Sequence, residues 1–395
     1  MMQLHTMRKP EQNRAEAPRF DLYAEAFRAG QELYKTGLLA VVNSHRAALK
    51  KPAVDWPRVG ATKYEEVWRE GSARLLKYEA PASKAVGLPL LLVCSLINRP
   101  YILDLLAGRS VVDRLRAAGR QVWLLDWGTP TDESAAFGLE HFALGLLPRA
   151  AAVVCKASGQ PKLHVLGYCM GGTLSLMAIA ARKLPAASLI ALATPVALHD
   201  DGLLSLWCRA PGFEADEIVR HYGNAPPHLL QPAFKMLDPV GLATKLVHLE
   251  DKVGDDAFVT FFLAMETWLE DSVAFPGRAF GEWVRMYRDD ALAKGTLALA
   301  GKKIDLSAVD CPILTMIAES DYITPAASSL AIERLCPRAK HTLVRSPGGH
   351  IGLATSSSSQ KKLWPDAARW LDAVDASLAG LVQSPKKPKP KKARS

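Results

Sequence analysis

The segment of residues 167–172, Gly-Tyr-Cys-Met-Gly-Gly, constrains the fold of this chain more than any other feature. It has the pattern G-x-S-x-G of a nucleophile elbow, with Cys169 at the position where serine is usual. A β-rich run precedes it over residues 162–168, and a helix-forming run follows over residues 173–183. The pattern therefore predicts a tight strand-to-helix turn that presents the cysteine above a sheet. The N-terminus of the following helix favours the thiolate form.

The bulk properties are those of an ordinary globular protein. The 395 residues are 49% apolar and 23% charged, which is enough chain for one enlarged domain or two smaller ones. Residues 1–19 lack the apolar stretch of a secretory signal, and no apolar run is long enough to span a bilayer. The six cysteines form no C-x-x-C pair, which indicates reduced thiols in a cytoplasmic protein and no zinc site.

The positive charge is concentrated at the C-terminus. Of the net charge of +9, the tail after Ser384 supplies six charges, which leaves +3 on the rest of the chain. This tail alternates proline with lysine and cannot bury apolar surface, so residues 381–395 are predicted to be disordered. Such a cluster of cations can bind polyanions through counterion release, although a solvated terminus has the same composition.

Apolar runs alternate with helical stretches through most of the chain. Strands are predicted at residues 88–96, 121–126, 162–168, 188–194, 312–318 and 341–346. These runs are continuously apolar rather than alternating, which is typical of strands buried on both faces. The pattern predicts an α/β fold with a mostly parallel, doubly wound sheet covered by helices on both sides.

Four parts of the chain are predicted from composition. Residues 1–60 form a polar arm and a helix, residues 61–195 and 308–380 form the α/β core, and residues 381–395 form the tail. Residues 196–307 are rich in Trp, Phe, Leu, Met and Pro and have a helical pattern. Because ligands bind beyond the carboxyl ends of strands in such sheets, this insertion is expected to form a cap or lid. A helical subdomain with a purely structural role has the same sequence signature.

Three residues are predicted to be catalytic: Cys169, Asp321 and His350. A cysteine nucleophile needs a base to remove its proton, and the base needs an acid to fix its tautomer. In chains with this elbow the acid and the histidine follow the nucleophile. Asp321 comes just after the strand predicted at residues 312–318, and His350 lies in a glycine-rich loop after the last strand. Asp126 also ends a strand, but it precedes the nucleophile and is interpreted as structural.

The oxyanion hole is predicted to consist of backbone N–H groups. The first belongs to Met170, the residue after the nucleophile. The second is expected from the loop after an early strand, where Ile97 or Asn98 is the candidate donor.

A cysteine in place of serine favours acyl transfer from a thioester. Thiolate attack exchanges one thioester for another at nearly equal free energy, so the acyl group stays activated. It can then move to an alcohol and form an oxygen ester, provided that a lid excludes water. The same chemistry allows a thioesterase with a cysteine nucleophile.

Several segments together resemble the polyhydroxyalkanoate synthases. They are LLV (91–93), INRPYILDL (97–105), VWLLDWGTP (122–130), HVLGYCMGGT (164–173), TPV (194–196), GLLSLW (202–207) and PGGHIG (347–352). The likeness covers residues 88–371, and the short chain makes it closest to the class III catalytic subunit. Tyr322 departs from the family, since many members have a histidine beside the acid.

The resemblance implies an α/β-hydrolase fold that polymerises (R)-3-hydroxyacyl-CoA into a storage polyester and releases coenzyme A. By this resemblance Cys169 holds the growing chain, His350 deprotonates the thiol and the incoming hydroxyl, and Asp321 supports His350. No cofactor is implied, since coenzyme A enters as the thioester of the substrate.

The resemblance also implies partners and a location. The partners are the hydroxyacyl-CoA substrate, the polyester product and a separate non-catalytic subunit, in a homo- or hetero-oligomer. The location is the cytoplasm, in association with polyester granules. The alternative on the same fold is a cysteine-dependent hydrolase, either a thioesterase or an intracellular polyester depolymerase.

Overall fold

An eight-stranded β-sheet forms the centre of the computed structural model, which describes residues 22–78 and 86–383. The strands are β1 (Tyr64–Glu70), β2 (Ala73–Tyr78), β3 (Leu90–Val93), β4 (Asp104–Leu106), β5 (Arg109–Ser110), β6 (Val122–Asp126), β7 (Leu163–Tyr168), β8 (Ala186–Leu192), β9 (Ala298–Leu299), β10 (Lys302–Lys303), β11 (Ile313–Ala318) and β12 (His341–Ser346). The order in the sheet is β1-β2-β6-β3-β7-β8-β11-β12, while β4 pairs with β5 and β9 with β10.

Most of the sheet is parallel. All neighbours from β6 to β12 run parallel, and β2 pairs antiparallel with both β1 and β6. Every residue of β3, β6, β7 and β11 is buried, as expected for strands covered on both faces. The prediction of a mostly parallel, doubly wound α/β sheet is therefore confirmed.

Helices cover both faces of the sheet and fill the insertion after β8. They are α1 (Leu22–Ala48), α2 (Val111–Ala117), α3 (Leu147–Ser158), α4 (Met170–Ala180), α5 (Leu203–Arg209), α6 (Ala215–Tyr222), α7 (Pro227–Lys235), α8 (Pro239–Lys252), α9 (Asp256–Glu270), α10 (Gly277–Asp289), α11 (Ala326–Leu335), α12 (Gly352–Thr355) and α13 (Trp364–Gln383). In the described parts of the chain, none of these helices is both long and apolar enough to cross a membrane.

Alternate side chains of the strands enter two separate apolar cores. Leu91 and Val93 of β3 pack in the core that contains α3 and α4. Leu90 and Leu92 of the same strand pack in the core that contains α2 and α13. The two cores therefore share the sheet as their common wall, which holds the carboxyl ends of the strands in fixed positions.

The first helix packs against the insertion. Leu38 and Val42 of α1 share a small apolar core with residues of α8 and α9. The hydroxyl of Tyr34 donates to Glu266 of α9 at 2.5 Å, and Gln31 donates to Glu270 at 2.8 Å. Helix α1 thus braces α9 through apolar contacts and through two buried carboxylates.

Two parts of the fold differ from the sequence prediction. The antiparallel hairpin of β1 and β2 was not predicted, because β1 lies at the sheet edge, is largely exposed and has no continuous apolar run. The long C-terminal helix α13 was also not predicted. Of the region predicted as a polar arm and helix (residues 1–60), residues 1–21 lie outside the described residues, and so do residues 384–395 of the predicted tail (residues 381–395). Residues 381–383 of that tail were wrongly predicted to be disordered, since they continue helix α13.

Helix α13 is fastened to the sheet by a buried polar network. Asp375 of α13 accepts from the guanidinium of the fully buried Arg120, and its other oxygen lies 3.0 Å from Nε2 of His164 in β7. The second ring nitrogen of His164 lies 2.7 Å from the hydroxyl of Ser188 in β8. Burial acts to raise the pKa of Asp375, but the hydrogen bonds from His164 and Arg120 outweigh it and lower the pKa.

We predict that Asp375→Asn destabilises the fold by about 2–3 kcal/mol, because it removes the carboxylate between the buried side chains of Arg120 and His164 and leaves Arg120 only its pair with the exposed Asp372. Since the pKa of Asp375 is lowered in the folded state, the wild-type protein loses this contribution as the pH falls through the acidic range, and the variant does not. Urea unfolding at several pH values measures both effects. The control is Asp366→Asn on the same helix, whose exposed pair with Arg369 contributes little. Equal stability losses in the two variants would contradict the anchoring role.

Candidate active site

Cys169 lies in a sharp turn between β7 and α4. Its backbone has φ 55° and ψ −125°, a conformation that residues with a side chain rarely adopt. The turn brings α4 very close to the neighbouring backbone. A Cβ on Gly171 would stand 2.1 Å from the carbonyl oxygen of Val93, and one on Gly167 would stand 2.3 Å from the Cα of Gly172. The glycines of the motif are therefore needed to let the elbow form, and the sulfur stands at the N-terminal end of α4, where the helix dipole favours an anion.

His350 is held in one orientation by two neighbours. Its Nδ1 lies 2.8 Å from Oδ2 of Asp321. The other carboxylate oxygen of Asp321 accepts from the backbone N–H groups of Ile323 and Thr324, at 2.9 and 2.7 Å. The ring of Tyr168 stacks on the imidazole, with ring centroids 5.0 Å apart. Because Nδ1 is bonded to Asp321, Nε2 is the ring nitrogen of His350 that is available to Cys169.

The charges at the site favour an ion pair between Cys169 and His350. Burial acts to lower the pKa of His350, but the carboxylate of Asp321 and the sulfur of Cys169 raise it to about 10. Burial likewise acts to raise the pKa of Cys169, but His350 and a hydrogen bond from Ser95 outweigh it, and the net pKa is lowered. The arrangement can therefore hold a thiolate beside an imidazolium at neutral pH.

The other cysteines have the opposite tendency. Burial raises the pKa of Cys94, which lines the same cavity, and also those of Cys155, Cys208, Cys311 and Cys336. All six cysteines lie in the described residues and all are free thiols. Cys169 is thus distinguished from the rest by its charged neighbours, whereas the others behave as apolar core residues.

The predicted oxyanion donors line the same cavity as the sulfur. Met170 is the first residue of α4, so its N–H group has no acceptor within the helix. Ile97 and Asn98 come from the loop after β3, and the carbonyl of Ile97 accepts from the N–H of Val273 at 3.3 Å. The structure therefore brings Met170, Ile97 and Asn98 to the wall beside Cys169, and their role as donors stays a prediction.

The cavity has a volume of about 190 Å³ and lies between the sheet and the insertion. Its walls come from the loop after β3, the elbow, the loops that carry Asp321 and His350, and four helices of the insertion: α5, α7, α9 and α10. The walls are mainly apolar, with Trp268 and Trp283 as the largest side chains. Arg99 and Lys235 also line it, and each is paired with an adjacent carboxylate.

Helix α9 is pinned across the end of β3. The indole of Trp268 donates to the carbonyl of Arg99 at 2.8 Å. Asp271, at the end of α9, accepts from the hydroxyl of Tyr101 at 3.0 Å and pairs with the guanidinium of Arg99 at 3.0 Å. This position over the cavity supports the lid predicted for residues 196–307, whose boundaries and role remain predictions.

Asp126 lies apart from these residues, in line with its structural interpretation. It pairs with Arg74 of β2 and accepts from the N–H of Gly128 at 2.9 Å. In residues 22–78 and 86–383, no group of three or more His, Cys, Asp and Glu side chains is arranged to hold a metal ion.

Two hydroxyl groups at the sulfur were not predicted from the sequence. Oγ1 of Thr324 lies 4.0 Å from Sγ of Cys169, and Ser95 lines the same cavity, where its hydroxyl lowers the pKa of the thiol. Thr324 follows the predicted acid by three residues, and Ser95 directly precedes the segment of residues 96–101 that is predicted to supply the second backbone donor. Their nearness in sequence to predicted site residues is the only signal that could have found them.

Comparison with known proteins identifies the class. The α/β hydrolase fold family matches residues 100–242 of this chain. A soluble variant of the monoglyceride lipase of Saccharomyces cerevisiae, solved with a substrate analog, matches with a TM-score of 0.51 and 17% identity over 81% of this chain and 98% of the lipase. This second likeness concerns the fold alone. The protein has the α/β-hydrolase fold.

Closer relatives identify the family. The poly(3-hydroxyalkanoate) polymerase subunit PhaC of Haloferax mediterranei is 34% identical over 330 residues, which are 83% of this chain and 67% of that protein. The subunit of the same name from Allochromatium vinosum is 33% identical over 329 residues, 82% of this chain and 91% of that protein. The chain belongs to the family of poly(3-hydroxyalkanoate) polymerase PhaC subunits, which confirms the resemblance found in the sequence.

We predict that Asp321→Asn lowers the pKa of His350, because the amide keeps the shape of the carboxyl but not its charge. The pKa of Cys169 then rises, since loss of the imidazolium charge outweighs loss of the weaker repulsion between Asp321 and the thiolate. The thiolate fraction of Cys169 at neutral pH then falls. The ultraviolet absorbance of the thiolate, titrated against a Cys169→Ala baseline, measures this fraction. Glu319→Gln, an exposed change on the same loop, is the control. An Asp321→Asn titration that coincides with the wild type would refute the charge coupling.

Proposed function

We propose that this protein polymerises (R)-3-hydroxyacyl-CoA into polyhydroxyalkanoate and releases coenzyme A, through an acyl intermediate on Cys169. The observation that carries the proposal is the placement of Cys169 beside His350, which is hydrogen-bonded to Asp321, in a largely apolar cavity. Family membership supports the choice of reaction, since the relatives from Haloferax mediterranei and Allochromatium vinosum are named as polymerase subunits.

In the first step the thiolate of Cys169 attacks the thioester carbonyl of the substrate. The carbonyl oxygen becomes negative, and the N–H group of Met170 with that of Ile97 or Asn98 stabilises it. The bond to the sulfur of coenzyme A then breaks, and His350 gives its proton to the leaving thiolate. The product is an acyl thioester on Cys169, a free coenzyme A thiol and a neutral imidazole.

In the second step a hydroxyl group attacks the acyl thioester. It belongs to another 3-hydroxyacyl unit or chain, and the neutral imidazole of His350 accepts its proton. An oxygen ester forms, the Cys169 sulfur leaves as the thiolate, and the ion pair with His350 is restored. Asp321 holds the ring in the tautomer that allows both transfers.

Exclusion of water determines whether the intermediate is extended or hydrolysed. The apolar walls contributed by α5, α7, α9 and α10 give water few hydrogen-bond partners near the sulfur. The braced position of α9 supports the same conclusion, since it keeps Trp268 over the site. A thioesterase on this fold would need a defined water position beside the Cys169 thioester.

The relatives are named as subunits, which supports an assembly with further chains. We propose a non-catalytic subunit as partner and polyester granules as the location. Polymer synthesis measured with and without a candidate partner, and with and without residues 384–395, tests these proposals. The tail deletion also tests polyanion binding, through the salt dependence of DNA affinity.

We predict that the purified protein incubated with 3-hydroxybutyryl-CoA yields polymer and coenzyme A, and that Cys169→Ala lowers coenzyme A release by at least about 10⁴-fold, because the covalent step is lost. Chromatography separates coenzyme A, free 3-hydroxybutyrate and polymer. Cys94→Ala is the matched control, since that thiol lines the same cavity with a raised pKa. If free 3-hydroxybutyrate were the sole acyl product, the protein would be a hydrolase and not a polymerase. Coenzyme A release by Cys169→Ala at the wild-type rate would end the nucleophile assignment.

A further inference from the structure

Two buried hydroxyl groups beside Cys169 take no part in the mechanism described above. Ser95 is 7% exposed and Thr324 is 3% exposed, and both line the cavity that contains the sulfur. Neither residue is the predicted acid, base or nucleophile, so an apolar side chain at either position would leave those three residues in place. The place of the two hydroxyl groups beside the sulfur, in a wall that is mainly apolar, suggests that they act on Cys169.

Thr324 is positioned by the acid loop. Its backbone N–H donates to Oδ1 of Asp321 at 2.7 Å, and its Oγ1 lies 4.0 Å from Sγ of Cys169. It also comes just before Pro325, the residue that precedes α11. The hydroxyl therefore cannot move far from the sulfur unless the loop that holds Asp321 moves as well.

Ser95 reaches the sulfur from the other side. It follows β3, whereas Thr324 follows β11, and in the sheet these strands lie on opposite sides of β7, which carries the elbow. Ser95 lines the cavity beside Cys169, and its hydroxyl lowers the pKa of the thiol. The topology thus places one hydroxyl on each flank of the same sulfur atom.

We propose that the hydroxyl groups of Ser95 and Thr324 hold the Cys169 sulfur between them and keep it in the thiolate form before substrate binds. Both are positioning residues, and the inference rests on the proposed role of Cys169 as nucleophile. A thiolate in an apolar cavity loses the hydrogen bonds that water would donate to it. The imidazolium of His350 replaces them on one side of the sulfur only. Hydrogen bonds from hydroxyls to an anion are stronger than those between neutral groups. Two such donors therefore add substantially to the stabilisation of the thiolate by His350.

The other titratable groups that face Cys169 are His350, Asp321, Cys94, Tyr168 and Tyr287. Burial raises the pKa of Cys94, and it raises those of Tyr168 and Tyr287 well above their ordinary value. These three groups therefore stay neutral from mildly acidic to mildly alkaline pH. A change in the titration of Cys169 over that range reports on its own hydrogen bonds and on the pair of His350 with Asp321.

The test is the pH dependence of Cys169 alkylation in the full chain. Iodoacetamide is the probe, and mass spectrometry of the peptide that contains Cys169 gives the rate without interference from other thiols. In Ser95→Ala and Thr324→Val the midpoint of the rate profile moves to higher pH. In the double variant the rate below the midpoint falls by about tenfold, while the rates converge with the wild type at alkaline pH. Thr324→Ser keeps the hydroxyl and retains the wild-type profile.

Ser272→Ala is the matched control, because Ser272 also lines the cavity but donates its hydroxyl to the carbonyl of Leu269. An unchanged profile in the double variant, an equal shift in Ser272→Ala, or a shift in Thr324→Ser as large as in Thr324→Val would overturn the inference. Alkylation needs no turnover, so these outcomes are separate from failure of the proposed function. That function is decided by the polymer and coenzyme A assay on the wild type and Cys169→Ala.

Discussion

The close backbone contact between the elbow and its neighbouring strands is the constraint on which the rest of the site depends. A residue with a side chain held at φ 55° carries a local cost of about 1–3 kcal/mol, so the surrounding structure must impose the turn. It does so through α4, every residue of which is buried beside the sheet. Gly167 and Gly171 permit this packing, since a Cβ at either position would overlap backbone atoms. The core of the protein therefore fixes the place of the nucleophile.

Once the sulfur is fixed, its charge state follows from a chain of dependent contacts. Backbone N–H groups hold Asp321, the carboxylate orients and charges His350, and the imidazolium stabilises the thiolate of Cys169. Each step works against burial, which disfavours every charged form in this cavity. The balance is local, because Cys94 in the same cavity has a raised pKa and remains a thiol. A reactive cysteine and an inert one thus differ in their partners rather than in their burial.

The sequence predicted those parts of the fold in which the local residue pattern indicates burial or helix formation. Most of the continuously apolar runs became central strands, and the helical pattern of residues 196–307 became helices α5 to α10. It failed for β1, where Glu65, Glu66 and Arg69 interrupt any apolar pattern because the strand lies at the edge of the sheet. It also gave no sign that Asp375 would meet Arg120 and His164, which are 255 and 211 residues away. Contacts of that kind depend on which strands become neighbours, and no local pattern records this.

The same division applies to the site. The sequence by itself determined the elbow around Cys169 and the order of Asp321 and His350, because the turn demands glycine and each residue ends a strand. It also determined the family, through motifs spread over most of the chain. Only the tertiary structure decided which helices of the insertion would face the sulfur and that Ser95 and Thr324 would flank it. The physical reason is that these positions follow from the order of β3, β7 and β11 in the sheet, and strand order is set by packing of the whole chain.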